Sequence, residues 1–167
     1  MVNSETVNLT DTVLRIGAAM LAGVVIGINR DLHQKSIGMR TLGLVSVASC
    51  ILVLTISQYA LQHGSSGSDA TSRVIQGIVA GIGFLGAGVI LRGPDQLQVL
   101  GLTTAAAIMV VATLGIACGL AAWPILIVGL GATLFLLSVC RPIERAIQRA
   151  FDKDQGNGGD GLPPASK

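Results

Sequence analysis

Charge is scarce in this chain. Asp, Glu, Lys and Arg make up 12% of its 167 residues, about half their share of an ordinary soluble domain. That excludes a water-covered globule of this length. The net charge of +2 is too small to point to nucleic acid. Cysteine is scarce as well. Cys50, Cys118 and Cys140 lie in or at the ends of apolar runs and form no CxxC or Cys/His cluster, so they read as small buried hydrophobes. The chain has no Walker pattern, no HExxH and no persuasively spaced Ser/His/Asp set, and His33 and His63 stand alone in loops. The nine acids fall in loops, tails or span ends, leaving no carboxylate inside an uninterrupted apolar run to ligate magnesium or calcium. No catalytic residue, cofactor-binding residue or metal ligand is assigned. The first ten residues, MVNSETVNLT, lack the basic start of a cleavable signal, so the first apolar run is expected to stay as an anchor.

What the chain does have is apolar length. It is 51% hydrophobic with a mean hydropathy of +0.71. The stretch from Arg73 to Leu91 stands out, with Val74–Leu91 carrying no charge over 18 residues, about the length needed to cross a bilayer as a helix. It holds Gly77, Gly81, Gly83, Gly86 and Gly88. Small residues four apart let helix backbones approach closely where no hydrophobic effect separates helix from lipid. These glycines therefore read as helix-packing positions, and the stretch as the middle of a bundle. Gly81, Gly83 and Gly86 also match GxGxxG. A dinucleotide site needs a strand before the motif and an acid about 20 residues on, where this chain has Ala106. Membrane packing takes nearly all the weight.

Five apolar segments emerge: 13–28, 41–61, 74–91, 99–118 and 120–140. Arg15 near the end of the first can snorkel to the interface. The last two segments are nearly continuous. As one helix they would be about twice as long as the membrane core is thick, so a hairpin is expected near Gly115, Gly119 and Pro124, with Trp123 at the interface. The fold class is all-α, a polytopic membrane bundle of five transmembrane helices. Residues 1–12 form an outer N-terminus, 13–140 the membrane domain and 141–167 a cytoplasmic end. Nine of the eleven Lys and Arg residues fall in the first and third loops and after the fifth segment. The positive-inside rule thus puts the C-terminus in the cytoplasm and the N-terminus outside. The stretch after Cys140, with Arg141, Arg145 and Arg149 on one face, reads either as an amphipathic helix on an anionic leaflet or as a solvated extension of the fifth span. The Gly/Pro-rich end after it reads as disordered.

Arg30, Arg40, Asp69 and Arg73 stand out as interfacial polar residues, and Thr103 and Thr104 as polar contacts at a helix entrance. Three groups of residues resemble one family. They are Asp69, Ser72, Arg73 and Val74; the run Gly81-Ile82-Gly83-Phe84-Leu85-Gly86-Ala87-Gly88-Val89-Ile90; and Gly101-Leu102-Thr103-Thr104-Ala105-Ala106. With the Gly27–Thr41 loop, they are similar to the MgtC/SapB family of bacterial inner-membrane proteins over residues 13–140.

The resemblance implies a five-span inner-membrane protein with its N-terminus outside. It also implies a non-enzymatic role in adaptation to magnesium limitation, in some members by restraining the F-type ATP synthase. A component of a magnesium transport system, with an oligomeric pore around the third span, is the alternative. The partners implied are membrane lipids, another membrane protein such as that synthase, and further copies of the chain. Nucleic acid is not among them. Asn29 departs from the family's usual loop glutamate, and Met109 stands where many members carry tryptophan. The chain ends 27 residues after Cys140, so the soluble C-terminal domain of the longer members is expected to be absent, and with it any role that needs that domain.

Overall fold

The computed structural model describes residues 9–32, 37–63, 67–92 and 99–138. Residues 1–8 of the expected outer N-terminus and the stretch after Cys140 therefore lie outside the described residues, while residues 9–12 belong to the first helix. The helices are α1 (Leu9–Asp31), α2 (Met39–Gln62), α3 (Gly67–Val89), α4 (Leu102–Gly119) and α5 (Trp123–Ser138). The first four are long and apolar enough to cross a membrane, and α5 is a shorter apolar helix. The protein is an all-α, multi-pass membrane bundle. It divides into two compact units, Met1–Thr133 and Leu134–Lys167. The packing that follows is all within the first. Of the second, residues 134–138 are described and are helical.

The helices run past the apolar segments at several ends, because backbone hydrogen bonding does not stop at the first charge. Helix α3 begins at Gly67, so Asp69 and Arg73 lie on it, with Asp69 in the first turn, where a carboxylate complements the helix dipole. It ends at Val89, two residues before the apolar run does. There Leu91 and Arg92 pair antiparallel with Leu100 and Val99 as the two-residue strands β1 and β2. Gly101 then enters α4 at φ +91, a left-handed conformation for which glycine is suited.

The expected centre of the bundle is corrected. Helix α3 is the least enclosed of the four long helices, with 17% of its apolar window buried, whereas α4 has 61% buried. Gly81, Gly83 and Gly86 all lie within the helix, with no strand before them among the described residues and no phosphate-cradling loop around them. The core lies between α1, α2 and α4, and four glycines make it close-packed. A Cβ at Gly23 would stand 2.7 Å from the carbonyl oxygen of Leu42, and one at Gly27 would overlap the backbone of Met39. Helices α1 and α2 are therefore antiparallel with their backbones in contact. A Cβ at Gly115 would overlap the Ser46 carbonyl, and one at Gly119 would stand 2.8 Å from Val53 Cβ. Both sequences advance in the same direction, so α2 and α4 run parallel.

Gly115 is thus a packing residue inside α4 and not a helix break. The turn comes at Leu120–Ala122. The Ala122 amide donates to the Ala117 carbonyl at 2.9 Å and the Ala121 amide to Cys118 at 3.0 Å. This is the Schellman closure, in which the left-handed position is usually glycine. Here Ala121 occupies it at φ 54. Ala121→Gly should stabilise the protein by about 1 kcal/mol, since the left-handed region costs an L-residue roughly that much. A rise in thermal midpoint in detergent would register it.

Candidate functional site

Four of the six sequence-selected polar residues, Arg30, Arg40, Thr103 and Thr104, gather at the end of the bundle where α1 stops and α4 begins, while Asp69 and Arg73 lie near the start of α3. Arg30 lies in the last turn of α1, where the helix dipole favours a cation. It is not at a surface as expected but fully buried. Its Nη2 donates to Thr104 Oγ1 at 2.5 Å, with the Thr103 carbonyl 3.5 Å from Nη1 and the Ile37 carbonyl 3.4 Å from Nε. The first contact is short and charge-assisted, and the other two are long enough to orient more than to bind. Thr104 is buried while the side chain of Thr103 is exposed, so Thr103 contributes through its backbone. One guanidinium therefore ties α1, the first loop and α4 together.

Beside it, Asp31 turns the other way. Its Oδ2 accepts from the Met39 amide at 3.0 Å, capping α2 across the loop, a task the local cap residue Gly38 has no side chain to perform. Gly38 is required to be small there, because a Cβ would strike the Asp31 carboxylate. Arg40 is exposed, on the first turn of α2.

A second tie closes the opposite end. Arg15 does more than snorkel. Its Nη1 donates to the Gly119 carbonyl at 2.9 Å, and its Nη2 pairs with Asp11 at 2.7 Å. The guanidinium thus meets an otherwise unbonded carbonyl at the C-terminus of α4, the negative end of that helix. Sequence reasoning missed this contact because Arg15 and Gly119 are 104 positions apart. The Gly23/Gly27 and Gly115/Gly119 pairs were legible in principle, since each has the four-residue spacing noted in the third segment.

The five glycines of α3 separate in space. Gly86 is buried, and a Cβ there would make ordinary contact with Ala105 at 3.5 Å. Around Gly77, Gly81, Gly83 and Gly88 a Cβ would meet nothing within 4 Å. Among the described residues these four are therefore not packing positions. They lie off the face that Ile78, Ile82 and Gly86 turn toward the bundle. Asp69 and Arg73 are exposed near the start of the same helix and pair with no other described residue. Among the described residues no three His, Cys, Asp or Glu side chains come together to hold a metal. The polar contacts at both ends do mechanical work, joining helices.

Comparison with known proteins matches this architecture to a family. The MgtC family model covers residues 16–146. Protein SrpB of Synechococcus elongatus is 40% identical over 137 residues, covering 78% of this chain and 75% of SrpB. Protein MgtC of Salmonella typhimurium is 36% identical over 137 residues, covering 82% of this chain and 54% of MgtC. Protein SapB of Bacillus subtilis is 39% identical over 112 residues, covering 65% of this chain and 47% of SapB. The chain thus spans about half the length of the Salmonella and Bacillus relatives. No solved structure matches it. A family match over most of the membrane bundle, together with three relatives at 36–40% identity, shows that the chain belongs to the MgtC family.

Proposed function

We propose that this protein is a non-enzymatic regulator of the bacterial inner membrane. It supports adaptation to magnesium limitation by docking onto another membrane protein, such as the F-type ATP synthase. In this reading the N-terminus faces outward and the C-terminus the cytoplasm, as the distribution of Lys and Arg favours. Family membership supports the physiological setting. The observation that carries the reading is the division of labour among side chains. Arg15, Arg30, Asp31 and Thr104 join helix to helix, while α3 leaves a long face bare. A rigid bundle whose α3 leaves a glycine-lined face uncovered suits contact with a partner better than turnover of a substrate.

The test is growth of a deletion strain in low magnesium, complemented by the wild-type gene or by Gly83→Leu, with cellular ATP followed alongside. Leucine at Gly83 enters open space, so the bundle should still fold. The expected result is a growth defect with abnormally high ATP, corrected by the wild type and not by Gly83→Leu. A defect with normal ATP and low cell magnesium would overturn the regulatory reading in favour of magnesium transport.

A further inference from the structure

We propose that the outward face of α3 is a self-association surface whose occupant is α3 of a second copy of this chain. The face is defined by Arg73, Gly77, Ala80, Phe84 and Ala87, spaced four, three, four and three apart and all exposed. That alternation is the 3.5-residue repeat with which two helices wrap around one another. It lies opposite Ile78, Ile82 and Gly86, which turn to the bundle.

Two features select another copy over an unrelated partner. The first is shape. Phe84 is 82% exposed, more than any other large apolar side chain among the described residues. The open backbone of Gly77, Gly81 and Gly88 surrounds it on the same side of the helix. A two-fold interface needs a projection and its hollow on one surface, so that each copy fills the other. The second feature is charge. Asp69 and Arg73 stand four apart near the start of α3, a spacing that commonly yields an ion pair along one helix, yet neither is paired with any described residue. Every copy inserts in the same orientation, so a partner's α3 runs parallel about an axis normal to the membrane. Asp69 of each copy is then within one turn of Arg73 of the other.

The glycines make the same point energetically. Each lowers the stability of an isolated helix, and four of them recover nothing from the described residues of their own chain. Close approach of a second backbone supplies the missing packing, as Gly23 and Gly115 do within the core. This inference does not rest on the regulatory reading, in which the partner meets α3 on its neighbouring side at Gly83, about 100° around the helix from Phe84. Its readout is a cross-link, which stands whatever the growth assay returns.

The experiment is oxidative cross-linking in native membranes. Cys50, Cys118 and Cys140 are replaced by Ala, and Ala80→Cys is compared with Leu52→Cys, a 51%-exposed position on α2. Copper phenanthroline should link Ala80→Cys into a species of twice the 17.0 kDa chain mass and leave Leu52→Cys monomeric. Co-purification of two differently tagged copies of the native chain gives a second measure should the cysteine-free protein fold poorly. By that measure Gly81→Leu should weaken association about tenfold, about 1.4 kcal/mol. Asp69→Arg should abolish it, and Asp69→Arg with Arg73→Asp should restore it. Equal cross-linking at both cysteine positions, or a cross-link from Ala80→Cys to a different protein, would overturn the proposal.

Discussion

Arg30→Met should destabilise the bundle by about 3 kcal/mol, in the range for breaking a buried charged contact. Methionine keeps most of the apolar stem but removes the donors that reach Thr104 Oγ1 and approach the carbonyls of Thr103 and Ile37. The loss is more than one bond. Arg30 is fully buried and Thr104 nearly so, and a hydroxyl deprived of its partner there is exposed to neither water nor another donor. Thr104→Val should cost about 2 kcal/mol, since it takes a close acceptor away from the guanidinium. The two changes should be strongly non-additive, because each removes the same contact. Unfolding titrations in mixed micelles with rising dodecyl sulfate would measure all three variants. Additive single effects would mean that Arg30 and Thr104 act independently, contrary to the geometry. Lysine should rescue only in part, since a point charge cannot span the positions a planar fork reaches.

Gly115→Leu and Gly83→Leu form a matched pair with opposite expected results. The substitutions are chemically identical and both occur inside transmembrane helices. At Gly115 the new Cβ would overlap the Ser46 carbonyl, with the Ser46 carbonyl carbon and Cα at 2.9 and 3.0 Å. The obstacle is backbone, which no rotamer change can relieve. Helices α2 and α4 must separate, and Gly119, one turn along against Val53, is pulled from its contact as well. Overpacking of a tight core costs up to about 3 kcal/mol, occasionally more. The gain in helix propensity, roughly 1 kcal/mol, offsets only part of that. At Gly83 nothing stands within 4 Å, so the propensity gain is uncontested and the monomer should be as stable as the wild type or slightly more so. Thermal midpoints in detergent, read side by side, would show the contrast. Equal destabilisation by both leucines would contradict the placement of α3 at the periphery.

Most of the fold was legible in the residues. Uncharged runs of about 18 residues, broken by Arg30–Arg40, the segment around Gly64 and the segment before Gly101, mark helices whatever surrounds them. The excessive length of 99–140 required a turn. Gly119 and Pro124 bracketed its position, but not the residue that makes it, because Ala121 takes a conformation that its residue type does not advertise. The site was legible in type and not in arrangement. Arg30, Thr103 and Thr104 could be singled out as polar groups at helix ends, but Arg30 and Thr104 are 74 positions apart, and no local pattern joins them.

The glycines divide the two kinds of knowledge most sharply. Gly23/Gly27, Gly77/Gly81 and Gly115/Gly119 share one spacing, and spacing determines only that each pair lies on one face of its own helix. Which pairs meet a neighbouring backbone was decided by the tertiary structure: the first and third do and the second does not. In a soluble helix the hydrophobic face would have given the answer in advance. In lipid, which is as apolar as the side chains, hydrophobicity does not distinguish the buried face from the exposed one. The sequence by itself determined a membrane bundle of five helices and its polar ends. Only the assembled chain decided that α4 is its centre and α3 its open edge.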